Sequence, residues 1–208
     1  MDMREIRQPR EQIRSAWGAA ALVAAPFLLG GLLGIFACQG AAAGGSGALA
    51  DYIGAYVQAS LEGEGAGPGF LFLLWENLRY PLAALILGFT ALGLVGLPVL
   101  LFLRGFLAAF ALTAFTAVYG AVGPPLGFLL MGVSDLVSIP ALFLLGVEGM
   151  GTAGQMLTCL TQGRRPAGVF SPQHWICSAG AIGAVMLWSG AVSLMHPVLI
   201  SLAAKLVT

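Results

Sequence analysis

From Tyr80 to Leu145 the chain carries only two charged residues, Arg104 and Asp135. A soluble fold must face water on its outside and cannot sustain such a run. In a bilayer, lipid solvates the outer face of each helix, and about 20 apolar residues cross the hydrocarbon core. The run is long enough for three crossings. The whole chain agrees: charged residues make up 9% and hydrophobic residues 59%, against about 25% charged in an ordinary soluble domain. Thirty glycines and eleven prolines fit membrane helices, where both residues are more frequent than in soluble ones. The formal net charge is zero, so bulk charge suggests no nucleic acid and no strongly acidic partner. The first partner implied is the lipid bilayer.

The pattern predicts an all-α, polytopic integral membrane bundle of about five transmembrane helices. Residues 1–15 form an arginine-bearing amino-terminal segment, and residues 16–208 one membrane domain. The first span, about 16–37, is longer than the apolar core of a cleaved signal peptide, about 7–15 residues, and is read as an uncleaved helix. Residues 38–75 make the largest loop, acidic through Asp51, Glu62 and Glu64. Within it, Asp51 to Leu61 suits a short surface helix with Tyr52, Ile53, Tyr56 and Val57 on one side, facing membrane or partner, while Gly63 to Gly69 is turn-rich. Further spans are expected at about 76–96, 97–120, 126–147 and 173–204. Pro98 can open the third, or Arg104-Gly105 can form the turn between the second and third. Gly123-Pro124-Pro125 is expected to end the third span. Glu148 to Thr161 can extend the fourth, Gly163-Arg164-Arg165-Pro166 breaks it, and Pro197 kinks or ends the fifth. Trp175 and Trp188 are candidate interface anchors.

Orientation follows the excess of arginine on cytoplasmic segments. An internal amino terminus places Arg4, Arg7, Arg10, Arg14, Arg104, Arg164 and Arg165 inside and leaves Arg79 and Lys205 outside. The 38–75 loop and the carboxyl terminus then face outward.

Few residues can carry chemistry. Asp135 lies near the middle of the fourth span, where a carboxylate costs about 2.5–3.5 kcal/mol even on insertion scales. It should face the bundle, as a proton or substrate site or as a polar staple paired with Arg104. Ser138 is one turn away, and Pro140 leaves the carbonyl of Leu136 without its helical donor. Glu76 and Arg79, one turn apart, read as an interfacial pair at the outer end of the second span. Gly44-Gly45-Ser46-Gly47 matches a serine-protease pattern, but in a Gly/Ala-rich loop with no base to activate the hydroxyl. There is no HExxH and no phosphate-binding GxxxxGK[ST] motif, and Cys38, Cys159, Cys177, His174 and His196 have neither disulfide-framework nor zinc-module spacing. No enzyme activity, cofactor or metal is expected. Gly30 with Gly34, and Ala179 with Gly183, have the small-xxx-small spacing of helix packing, within the chain or against another protein. A homo-oligomer is compatible with such faces.

Glu76-Asn77-Leu78-Arg79, Gly96-Leu97-Pro98-Val99-Leu100, Leu103-Arg104-Gly105 and Ser134-Asp135 ahead of Ile139-Pro140-Ala141 together resemble the stage II sporulation protein M family of endospore-forming bacteria. The resemblance is carried by residues 76–149, about a third of the chain, and the general layout extends it. Val133, Ser134 and Asp135 stand where the family prefers Pro and an amide pair. The resemblance implies a non-catalytic membrane scaffold in spore engulfment. Its place would be the mother-cell membrane at the sporulation septum, anchoring two wall hydrolases, the stage II sporulation proteins D and P. Residues 38–75 and the outer helix ends, with Tyr52, Tyr56, Glu76 and Arg79, are then the expected partner contacts. The alternative is a transport or channel subunit with Arg104 and Asp135 lining a polar path.

Overall fold

A computed structural model describes residues 3–43, 47–62, 70–162 and 172–207. Helix α1 covers Met3–Ala43, α2 Gly47–Glu62, α3 Phe70–Gly88 and α4 Gly93–Tyr119. A 3-10 turn at Gly120–Val122 leads into α5, Gly123–Gly127, then a π turn at Phe128–Gly132, then α6, Val133–Gln162; α7 is Pro172–Val207. The described residues contain no strand. The chain is an all-α helical bundle.

Four apolar stretches are long enough to cross a membrane: Ala20–Ala41, Phe70–Gly88, Gly93–Leu157 and Trp175–Leu206. The third has 65 residues and turns back on itself. Gly123 and Gly127 lie against Phe115, Gly146 against Leu101, Gly149 against Leu97, and Gly93 against Ala153, so α6 runs antiparallel to α4. The stretch therefore makes two crossings, and the bundle five. Helices α1 and α4 are parallel, since Gly30 meets Phe102 and Gly34 meets Phe106. Helix α3 runs with α6, as the Asn77–Ser138 and Gly88–Thr152 hydrogen bonds require, and α7 runs against α3, as the Asn77–Ser189 hydrogen bond and the Phe89–Trp175 ring stack at 5.1 Å require.

Side chains fill the bundle in two main layers. One gathers Val23, Tyr80, Ala84, Leu97, Leu101, Leu142, Leu145 and Val185. The other gathers Cys38, Ile53, Val57, Ala114, Phe115, Leu126 and Ala203. The second layer fixes α2 at the end of the bundle where α1 and α7 finish and α5 begins. As expected, the 51–61 segment is helical. Its buried side is Ile53 and Val57, however, while Tyr52 points away and is 69% exposed. Tyr52 therefore does not share a face with them, whereas Tyr56 packs against the same layer. Ile53 and Val57, four residues apart, share one stripe of the helix, and Tyr52, one residue off it, is turned outward.

Several span boundaries move. The second span begins at Phe70, not near residue 76, because Phe70-Leu71-Phe72-Leu73-Leu74-Trp75 continues the apolar helix upward. It ends at Gly88. The break from α3 to α4 is at 89–92, where Thr90 N–H and Oγ1 both donate to the Leu87 carbonyl at 3.0 and 2.9 Å. A side chain at Gly93 would strike that same carbonyl. Pro98 accordingly sits inside α4 rather than opening it, and Arg104-Gly105 is mid-helix, not a turn. Helix α4 stops at Tyr119 because Gly120 takes φ 59°, a left-handed conformation suited to glycine. Pro124 and Pro125 do not end that helix; they occupy the first turn of α5, where a missing N–H costs little. Helix α6 continues to Gln162 and contains the expected 148–161 extension. Pro197 lies within α7 and does not end it. The Gly44–Gly47 motif through Ser46, the Gly63 to Gly69 turn and the 163–166 break lie outside the described residues.

Candidate functional site

A layer of polar side chains crosses the interior of the bundle, each carried on an otherwise apolar helix. Asn77 is its centre, 4% exposed. Its Nδ2 donates to Ser134 Oγ on α6 at 2.8 Å and to Ser189 Oγ on α7 at 3.2 Å. Ser134 Oγ donates back to Asn77 Oδ1 at 3.2 Å. The amide thus ties α3, α6 and α7 together. Ser189 Oγ also donates to the Val185 carbonyl, and the Trp188 indole N–H donates to the Val133 carbonyl at 2.9 Å. Trp188 is therefore an interior hydrogen-bond donor and not an interface anchor.

Pro81 explains why Ser138 is polar. Proline has no N–H, so the carbonyl four residues earlier, that of Asn77, loses its helical donor. Ser138 Oγ fills the vacancy at 3.1 Å. Ser138 is thus committed to α3 and not to Asp135. Thr152 repeats the device at the end of α3, where its Oγ1 donates to the Gly88 carbonyl at 3.0 Å. There α3 and α6 nearly touch: a Cβ on Gly88 would lie 2.9 Å from the Gly149 Cα.

The charged part of the layer joins α4 to α6. Arg104 Nη2 donates to Asp135 Oδ1, with the two side chains 12% and 20% exposed. The Tyr80 ring faces the arginine of the pair, with the Arg104 guanidinium 4.8 Å from its centroid. A cation against a tyrosine face gains about 0.5–2 kcal/mol, more when dry. The π turn at Phe128–Gly132 precedes this segment directly, and Gly132 is small where the Phe128 ring folds back at 2.6 Å from a built Cβ. A turn of five-residue spacing re-aims the side chains that follow it, here Ser134 toward Asn77 and Asp135 toward Arg104.

Glu76 and Arg79 form an ion pair at 3.1 Å, the side chains about half exposed. The pair is not at the end of its span. Because α3 starts at Phe70, Arg79 is its central residue, about 14 Å along the axis from either end. Its guanidinium also lies 4.8 Å from the Tyr80 centroid, so Tyr80 stands between two arginines. Tyr56 on α2 packs edge-on against Phe115, centroids 6.3 Å apart. Burial pushes its phenol above the usual tyrosine range, and the negative charge of Glu76 adds to the rise.

The Arg104–Asp135 pair, one of the two readings of Asp135, is present, and so is the contact of Glu76 with Arg79, though not at the outer end of the span. Asn77, Tyr80, Ser134, Thr152 and Ser189 were not singled out for roles in the sequence, and Trp188 was read only as an interface anchor. Pro81 was the available signal, since a proline inside an apolar helix announces an orphaned carbonyl that some hydroxyl must satisfy. Among the described residues, no three His, Cys, Asp or Glu side chains come together as a metal site. The chemistry on offer is hydrogen bonding and ion pairing between helices. Comparison with family models, with curated proteins and with solved structures finds no match to this chain.

Proposed function

We propose that this chain is a non-enzymatic, multi-pass membrane scaffold. The observation that carries the reading is the mutual commitment of Arg104 and Asp135. The two costly charges of the long apolar run are spent on each other between α4 and α6, beside Tyr80, and so serve helix association. Such a layer fixes the relative positions of helices, which is what an anchor for other membrane proteins needs.

The likeness of residues 76–149 to the stage II sporulation protein M family gives the scaffold a finer setting. On that reading it resides in the bacterial cell membrane, at the sporulation septum on the mother-cell side. It holds the stage II sporulation proteins D and P, which cut peptidoglycan. This setting rests on the sequence motifs alone. Deleting the gene in its spore-forming host should arrest engulfment, and a fluorescent fusion should concentrate at the asymmetric septum. Normal engulfment in the deletion strain would end the proposal.

A transport role is favoured by one feature, the partial exposure of both charges. The neutral double variant Arg104→Gln with Asp135→Asn separates the readings. A scaffold keeps its location and supports engulfment, because no charge is left buried alone. A transporter loses function while still reaching the membrane. Each single variant strands one buried charge and should cost about 3–5 kcal/mol of stability.

A further inference from the structure

We propose that the outward face of α3 is a homodimer interface, on which a second copy of this chain pairs its Arg79 with Glu76 and its Glu76 with Arg79. The inference goes beyond the scaffold reading and does not depend on any sporulation role. Glu76 and Arg79 are half exposed on a span whose other outward residues are apolar: Phe72 and Trp75 are 59% and 62% exposed, and Ile86 is 65% exposed. Arg79 is the central residue of its span, too far from either end for its side chain to reach bulk water. Their own contact leaves one flank of each charge open to lipid, which offers neither hydrogen bonds nor counter-charge.

The kind of occupant follows from charge complementarity. One face holds both signs, one turn apart, and so is its own complement. A two-fold axis along the membrane normal keeps both copies in the same orientation, as membrane insertion requires, and sets the same patch against itself. Glu76 and Arg79 differ in height by about 4.5 Å, a gap that an arginine side chain covers. Two reciprocal pairs then close across the axis. Ala83, one turn further along the same face, is small enough to let the helices approach. A partner of different sequence would need the same alternation of charge at the same depth, whereas a second copy supplies it without further assumption.

The test uses the full chain in its native membrane, with Cys38, Cys159 and Cys177 replaced by alanine. Ala83→Cys should form an oxidation-dependent dimer of twice the chain mass. Leu187→Cys, 79% exposed on α7, should remain monomeric. In two-tag co-purification, Glu76→Arg and Arg79→Glu expressed singly should each lower self-association by about tenfold or more. Co-expression of the two variants should restore it, since one face is then wholly positive and the other wholly negative. The proposal is overturned if Ala83→Cys stays monomeric, if it traps a different protein instead of a dimer, or if Leu187→Cys cross-links equally well. Because Ala83→Cys retains both charges, that arm does not depend on the folding of the reversed variants.

Discussion

Asn77 and Pro81 are four residues apart, and much of the interior follows from that spacing. The proline removes a donor, the asparagine carbonyl loses its partner, and Ser138 supplies a hydroxyl from the neighbouring helix. Ser138→Ala should therefore destabilise the protein by about 0.5–2 kcal/mol, the range for an interhelical hydrogen bond in a membrane and for a buried acceptor left unpaired. Pro81→Ala restores an N–H that can reach the Asn77 carbonyl within α3. The penalty of Ser138→Ala should shrink in that background. Denaturant unfolding of the purified chain in detergent measures all four corners of the cycle, and an equal penalty in both backgrounds would show that the two positions are not linked. Asp135 was legible in the sequence because a carboxylate in an apolar run has a large cost and must find a partner. Ser134 and Ser189 were not. A serine hydroxyl can satisfy itself on its own helix, as Ser189 does on Val185, so nothing in the sequence separates a serine that also binds across helices. Arg79 was misplaced for a related reason: its depth depends on where α3 begins, and the turn-rich run before Phe70 hides how far the apolar helix extends.

At the scale of elements, glycine decides which helices meet closely. A Cβ at Gly30 would collide with the Phe102 carbonyl, at Gly34 with the Phe106 carbonyl, and at Gly105 with the Phe27 carbonyl. These are backbone atoms, which cannot swing aside. Helices α1 and α4 therefore approach through small residues, with dispersion contacts between backbones as the main attraction. The Gly30-xxx-Gly34 spacing was visible in the sequence, but not whether it served an internal or an external contact; the structure spends it internally. The similar Ala179 and Gly183 pair behaves otherwise. Gly183 has nothing within 4 Å of a built Cβ, as is true of Gly180. Gly34→Ala should thus separate α1 from α4 and destabilise the bundle by about 1–3 kcal/mol, the usual cost of overpacking. Gly180→Ala should be neutral or stabilise by up to about 1 kcal/mol, since alanine is the better helix former. Equal effects of the two substitutions on the unfolding midpoint would contradict the packing described. Helix existence was legible throughout, because long apolar runs have few other solutions in lipid. Helix ends were not, because they are set by the Thr90 hydroxyl, the left-handed Gly120 and the close approach at Gly93, which are local and tertiary details together.

For the whole molecule, five crossings have a consequence that two or four would not: the chain begins and ends on opposite sides of the membrane. The layer of Cys38, Ile53, Val57, Phe115, Leu126 and Ala203 places α2 at the end of the bundle shared by the last turns of α1 and α7. Lys205 and Tyr52 must then be on one side, and the arginine-bearing start of α1 on the other. The excess of arginine in the amino-terminal segment predicts that this other side faces the cytoplasm. Tyr52, 69% exposed on α2, is the position to probe. In intact cells or right-side-out vesicles, with the native cysteines replaced, Tyr52→Cys should react with a membrane-impermeant maleimide, and so should a cysteine appended after Thr208. A cysteine at Gln8 should react only after the membrane is opened. Labelling of Gln8→Cys and Tyr52→Cys from the same side would require an even number of crossings between them. That result would remove α1 as a span and, with it, the parallel packing of α1 on α4 from which the rest of the bundle is built.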